Sequence, residues 1–299
     1  MKLPQRMTID SQNKTVVGVL LTVLMTVIAS TSAATCKYLT QFIPVELLTF
    51  FQYSICLLLL LPLISSTDKL VVEKGMRLNM FVRGVSGLGC FYAYYAALRD
   101  IPLVEATLLR NSAPLFVPLM AFLWIGTEIK IHDAVSVVLG FFGVYLVFSP
   151  QAVQPEMGHF YAILSAIGLS LSMVSTRVLS ANSHPSTILF YYYFISILGI
   201  LPSTVLKWQE VPINLWPYIF YVGLSIHIVM YLYTKALSLA KATVIAPITY
   251  LSVVHTGVIG WVVWGYKPAV MSLLGMALVI LAGIIVSYFS AKEESTSAR

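Results

Sequence analysis

Residues 105–119 read EATLLRNSAPLFVPL. An arginine and an asparagine stand there side by side, ahead of Pro114 and Pro118, and no charge follows Arg110 until Glu128. What an isolated cation does in such a stretch depends on the chain around it.

That chain is apolar almost throughout. Of its 299 residues 59% are hydrophobic and 10% charged, against about 25% charged in a soluble domain. The mean hydropathy is +0.87. A hydrocarbon core about 30 Å thick needs about 20 apolar residues per helix. Ten runs meet that need: 15–38, 44–64, 80–98, 102–125, 131–149, 157–180, 185–205, 213–236, 242–264 and 268–290. They are continuous and Leu-rich, without the ten-residue alternation of a membrane barrel. The sequence therefore predicts an all-α polytopic membrane protein with the lipid bilayer as its surroundings. Cys36, Cys56 and Cys90 fall in or at the end of apolar runs, are odd in number, and have no metal-ligand spacing. They read as packing residues.

Orientation follows from the loop charges. With a cytoplasmic N-terminus, one side holds Lys2, Arg6, Lys14, Lys69, Lys74, Arg77, Arg83, Lys130, Arg177, Lys235, Lys241, Lys292 and Arg299. The other holds only Lys37, Arg99, Lys207 and Lys267, with Arg110 left inside a helix. Positive residues favour the cytoplasm, so both termini are expected there, in a bacterial inner membrane. The net charge of +6 is explained by this topology and points to no nucleic acid.

The chain also repeats itself at a shift near 140. Gly18 meets Gly158, Lys37 meets Arg177, Leu61-Pro62 meets Leu201-Pro202, Ala97-Leu98 meets Ala236-Leu237, Gly126 meets Gly265, and Gly143 meets Gly283. Five helices per copy is an odd number, so the second copy enters the membrane from the opposite side. The expected domains are 1–150 and 151–299, two inverted five-helix repeats, the second ending in a short polar tail. The first run, basic and then apolar, resembles a cleavable signal, but its partner deep in the chain argues that it is kept. Inverted repeats are a common plan of secondary transporters, with the substrate near the midplane.

The stretch YYAALRDIPLVEATLLRNSAPLFVPLMAFLWIGTEI (94–129), with ten helices in two halves, resembles the EamA-type transporters of the drug/metabolite transporter superfamily. The matching positions are Ala97-Leu98-Arg99, Pro102-Leu103, Ala106-Thr107, Pro114-Leu115-Phe116 and Glu128. A weaker version follows at Lys235-Ala236-Leu237, Ala246-Pro247 and Trp264-Gly265, with Ser252-Val253 where the family often carries Glu-Pro. The resemblance covers about residues 15–290. It implies transport by alternating access and leaves the substrate open.

Within this frame Arg110 is costly. A charge at the bilayer centre is unfavourable by about 3–17 kcal/mol depending on the reference, and Arg110 lies about 12 Å along its helix at 1.5 Å per residue. Ala106, Arg110, Pro114 and Val117 share a face at helical spacing, and Pro114 breaks the hydrogen bond to the Arg110 carbonyl. Two readings stand. Arg110 binds a substrate carboxylate or phosphate, or it pairs with Glu46 or Glu105 and ties helices together. Asn111, Tyr92, Tyr95, His227, Tyr231 and Tyr250 are the other candidate substrate residues. Glu46, Glu105 and His255 are candidate proton carriers, and Pro114 and Pro247 candidate helix breaks.

No zinc-protease, nucleophile-elbow, Walker or paired-Asp motif occurs. No enzyme activity and no cofactor are therefore expected, and transport must run on a gradient, with a proton as the natural coupling ion. The leading reading is a monomeric carrier of a small zwitterionic or anionic metabolite, an amino acid or an amino-acid-bearing compound such as S-adenosylmethionine. The alternative is a broad exporter of amphipathic drugs; a channel, sensor or intramembrane enzyme is the weakest reading.

Overall fold

The computed structural model describes residues 5–64, 70, 72, 74–126, 131–147, 156–180, 183–239, 245 and 248–297. The described residues hold no strand. The helices are α1 (Gln5–Leu39), α2 (Val45–Leu60), α3 (Arg77–Asp100), α4 (Leu103–Asn111), α5 (Ala113–Ile125), α6 (Ile131–Val147), α7 (Met157–Ser180), α8 (Pro185–Leu206), α9 (Trp216–Leu239), α10 (Leu251–Trp264) and α11 (Val270–Ser297). Together α4 and α5 cross the membrane once, so the ten-span plan holds. Lys14–Leu39, Leu103–Ile125, Met157–Ser180, Pro185–Leu206 and Ile213–Ala236 are each long and apolar enough to span. Large apolar side chains such as Leu20, Leu123, Val138, Leu206 and Val262 are exposed. That surface suits lipid and would be untenable in water.

Local chemistry sets the boundaries, and it does so twice. Pro44 caps α2 in an extended conformation (φ −56°, ψ 145°), and His184, 140 residues later, caps α8 in the same way (φ −66°, ψ 142°). The residue after His184 is Pro185, whose fixed φ suits a first helical turn. Gly126 and Gly265 end α5 and α10 in the left-handed conformation (φ 70° and 68°). This cap costs glycine little and other residues much.

Packing repeats in the same register. α3 packs on α7, and its counterpart α9 packs on α1. α3 also meets α8, as α9 meets α2; α4 and α5 meet α7, as α10 meets α1. The pairs α2–α8 and α6–α11 join each helix to its own counterpart, and α4 meets α10, the counterpart of α5. Single bonds obey the exchange too. Cys56 Sγ donates to the Gly223 carbonyl at 3.4 Å, and Ser196 Oγ donates to the Gly84 carbonyl at 3.4 Å. A Cβ at Gly84 would lie 2.6 Å from Ile195 Cγ2, and one at Gly223 2.5 Å from Ile55 Cγ2. Each contact becomes the other when both partners shift by 139 or 140. Small residues at such crossings let membrane helices approach closely. A residue and its own counterpart touch only near the axis relating the halves, and Tyr53 and Tyr192, 139 apart, do so through a 2.8 Å hydrogen bond between hydroxyls.

Several boundaries differ from the sequence reading: α1 begins at Gln5 rather than 15 and α11 runs to Ser297 rather than 290, and two further differences bear on the site. The run 102–125 is two helices meeting at Ser112 rather than one. α3 begins at Arg77 instead of 80, which puts Arg83 inside the helix bundle and removes it from the cytoplasmic charges; the bias of the rest is unaffected. The 150/151 boundary, Glu128 and Pro247 lie outside the described residues.

The paired notches make a direct prediction. Gly84→Ala and Gly223→Ala should each destabilise by about 1–3 kcal/mol through overpacking. Ile195→Ala and Ile55→Ala, respectively, should restore much of the loss. Gly89→Ala, where a Cβ meets nothing within 4 Å, should be close to neutral. Thermal unfolding of the purified variants reads all five; a Gly84→Ala variant as stable as the wild type would contradict the close approach.

Candidate functional site

The break between α4 and α5 is the site's backbone. Ser112 donates its N–H (3.2 Å) and its hydroxyl (2.6 Å) to the Leu109 carbonyl, and the Leu115 N–H bonds to the Ser112 carbonyl at 2.9 Å. Pro114 has no N–H to offer and sits in the first turn of α5, where none is needed. The chain thus restarts a helix at Ala113, where the sequence suggested a single helix with a freed Arg110 carbonyl. The face expected to run Ala106, Arg110, Pro114 and Val117 is interrupted, and Ala106 is fully buried. Arg110 and Asn111 become the last two residues of α4. The negative end of that half-helix dipole favours a cation there.

The Arg110 guanidinium lies over two rings of α3, 5.0 Å from the Phe91 centroid and 4.8 Å from that of Tyr94. Its buried Nε has no hydrogen-bond partner. Among the described residues no carboxylate comes within ion-pair distance of it. Glu46 is engaged elsewhere: Lys207 Nζ and Tyr92 OH each donate to its Oε1 at 2.8 Å. Glu105 is held by His159 Nε2 at 3.1 Å and by the Tyr266 hydroxyl. Burial, together with the Glu105 carboxylate, pushes the Tyr266 phenol up from its ordinary range. Neither carboxylate weighed as an ionic partner of Arg110 serves as one.

Around Arg110 the two repeats interlock. Asn111 Nδ2 donates to Ser252 Oγ at 2.8 Å, Ser252 Oγ donates to the Thr249 carbonyl at 2.7 Å, and Ser30 Oγ donates to the Ser252 carbonyl at 3.2 Å. This chain joins α4, α10 and α1. Tyr94 OH pairs with Thr107 Oγ1 at 2.9 Å, and Tyr95 donates to Gln52 Oε1 while stacking near Phe91 and Tyr94.

The remaining candidates are scattered. Tyr92 belongs to the Glu46–Lys207 cluster, apart from Arg110. Tyr231 is 64% exposed on α9, whereas Tyr250 is buried, its hydroxyl without a partner and seated where a Cβ at Gly283 would overlap it. Arg110, Tyr231 and Tyr250 therefore do not share one environment. His227 and His255 are half-buried, each with an unpartnered Nδ1. The structure adds residues not singled out in the sequence: Gln52, Tyr53, Tyr192, His159, Tyr266 and a second buried arginine, Arg83. His159 and Glu105 are 54 positions apart, so no local spacing announces them.

Comparison with known proteins agrees with this architecture. The chain is 28% identical to the pseudopaline exporter CntI of Pseudomonas aeruginosa, across 90% of its own length and 95% of that protein. It is 24% identical to the S-adenosylmethionine uptake transporter of Rickettsia bellii (82% and 84% covered) and 23% identical to the riboflavin transporter of Brucella anthropi (85% and 91%). One solved crystal structure superposes with a TM-score of 0.60 at 18% identity, over 94% of this chain and 99% of that one, a likeness of fold. The EamA-like transporter family matches twice, over 16–149 and 156–288. With one match in each five-helix half, the chain belongs to the EamA-like transporter family.

Proposed function

We propose that the protein moves a small zwitterionic or anionic metabolite by alternating access, with Arg110 as the anchor for the substrate's acidic group. The observation that carries this reading is a guanidinium deep in the membrane with a buried, unpartnered Nε and, among the described residues, no carboxylate in ion-pair range. An idle charge there is expensive; one that receives a carboxylate or phosphate through its planar fork is not. Its position supports the same reading. Broken helices at a repeat interface are where such transporters hold their cargo. An amino acid or an amino-acid-bearing compound such as S-adenosylmethionine, the cargo named for the Rickettsia relative, fits one anchored acidic group against aromatic rings.

Coupling to a proton would fall to Glu105 among the three carriers considered. It is 7% exposed and lies on α4, only five positions before Arg110. It bonds to a histidine and a phenol of the second repeat and, among the described residues, to no lysine or arginine. Lys37 of α1 stands nearby, its ammonium donating to the Leu98 and Ile101 carbonyls while facing Asp100, Glu156 and Glu105. Glu46 is already neutralised by Lys207. Protonating Glu105 would loosen its hold on the second repeat. The carrier would act as a monomer in a bacterial inner membrane with both ends cytoplasmic.

Arg110→Lys keeps the charge and loses the two-pronged geometry. With S-adenosylmethionine as probe, binding should weaken by about 10- to 150-fold, the worth of a charge-assisted bond of about 1.5–3 kcal/mol, and Arg110→Ala at least as much. Melting temperatures should stay close to wild type. Unchanged affinity with a lowered melting temperature would make Arg110 a strut instead.

Glu105→Gln should separate exchange from accumulation. In liposomes, counterflow by unlabelled substrate should persist while uptake driven by a pH gradient is lost; gradient-driven uptake at the wild-type rate would remove Glu105 from the coupling path. For topology, a cysteine at Ser295 should react with an impermeant maleimide only after the membrane is opened, and labelling of intact cells would invert the orientation.

A further inference from the structure

The second buried cation, Arg83, has no place in the reading above. It sits seven residues into α3 and is 8% exposed, with its Nε unpartnered and no carboxylate in ion-pair range among the described residues. A basic residue near a helix end ordinarily snorkels toward the headgroups. Arg83 does the opposite: its head lies beside Gly87, one turn deeper, where a Cβ would fall 2.6 Å from Nη1. Its Cζ stacks 3.8 Å from the centre of the Tyr192 ring.

Three observations tie Arg83 to Arg110. First, Arg83, Gly87, Cys90 and Tyr94 recur at spacings of four, three and four, so they share one face of α3, and Arg110 lies over Tyr94 at its far end. Second, the two guanidinium groups are joined by rings in series. Tyr192 and Tyr53 have centroids 5.3 Å apart, Tyr53 and Phe91 6.2 Å, and Phe91 carries Arg110 at 5.0 Å. Third, further buried polar atoms without partners lie on the helices that supply these rings: Gln52 Nε2 on α2, Ser86 Oγ on α3 and Tyr193 OH on α8. Buried polar groups left unpaired are unfavourable, and a polar solute reaching this region would satisfy them.

The fold itself does not ask for an arginine. At the shift of 139 that maps Gly84 onto Gly223, the counterpart of Arg83 is Val222, which is fully buried in the same packing role. Symmetry is kept by the glycines and broken by the charge. From the level of Gly87 to that of Phe91 and Tyr94 is four to seven residues, or about 6–10 Å along α3 at 1.5 Å per residue.

We propose that Arg83 and Arg110 are two anchors of one anion path, and that the transported solute carries two acidic groups separated by a short, flexible or aromatic-compatible spacer. Resting on the assignment of Arg110 above, this narrows the substrate class from an anionic or zwitterionic metabolite to a dianion. The aromatic series gives the spacer an apolar wall, and each guanidinium takes one carboxylate or phosphate.

The test compares glutarate with butyrate, two carboxylates against one on a short chain. Binding to the purified full-length protein is read by ligand-dependent melting shifts at constant ionic strength. Wild type should bind glutarate at least 10-fold more tightly than butyrate. Arg83→Gln should bring that ratio close to one while leaving butyrate affinity within about 2-fold; Arg83→Lys, which keeps the charge, should retain part of the preference. Arg110→Gln should weaken both ligands. Glutarate that fails to bind the wild type, a wild-type ratio near one, or an unchanged ratio in Arg83→Gln overturns the second anchor. If instead Arg83→Gln removes the preference while Arg110→Gln alters neither ligand, the assignment of Arg110 fails and Arg83 stands as a single anion site. Unliganded melting temperatures of both Arg83 variants separate a loss of binding from a loss of folding.

Discussion

The interior of a bilayer has no water with which a backbone could bond, so every N–H and C=O must be met within the protein. A helix can be interrupted there only where other helices cover the interruption. In this chain the interruption at Ser112 falls where α4 crosses α10 of the second repeat, with α1 and α7 packed alongside. The Ser112 N–H and hydroxyl both meet the Leu109 carbonyl at the break, and the Asn111–Ser252 side-chain bond ties it to α10. The place where the backbone can be broken is thus the place where the two repeats meet, and Arg110 is there.

Charge is distributed with similar economy. Glu46 is matched by Lys207 across α2 and α8, and Glu105 by His159 and Tyr266. Lys37 spends its protons on the carbonyls that end α3. Among the described residues, two deep arginines of the first repeat, both stacked on aromatic rings, have no carboxylate in ion-pair range. Cation–ring stacking contributes roughly 0.5–2 kcal/mol each, well short of the cost of burying a charge. The symmetric scaffold therefore carries an asymmetric positive interior. That suits a carrier whose scaffold must exchange two equivalent states while its cargo has a fixed charge.

The fold was readable from the sequence because its determinants are one-dimensional: run length, the 140-residue shift, and prolines and glycines at helix ends. Pro114 marked the broken helix, although a new helix start at Ala113 looks in sequence like a continuation. The site was readable only in part. Arg110 stood out because no charge follows it until Glu128. Arg83 did not, because a basic residue close to the start of an apolar run looks like a cytoplasmic anchor; only its reach toward Gly87 shows otherwise. For Tyr92 and Tyr231 the sequence gives a place in a helix but not what the side chain meets. One meets Glu46, and the other is exposed. Gln52, Tyr53 and Tyr192 sit in runs whose polar members carry no spacing signal; Gln52 meets Tyr95 from another helix, and Tyr53 and Tyr192 meet across the two halves.

The central claim is that the break in the fourth span holds the acidic end of the substrate. A structure determined by electron cryomicroscopy with saturating substrate tests it most directly. The account predicts an acidic group within hydrogen-bond distance of the Arg110 guanidinium, about 2.7–3.2 Å, between α3, α4 and α10. Substrate bound elsewhere, with Arg110 still stacked and without an anion, would contradict it.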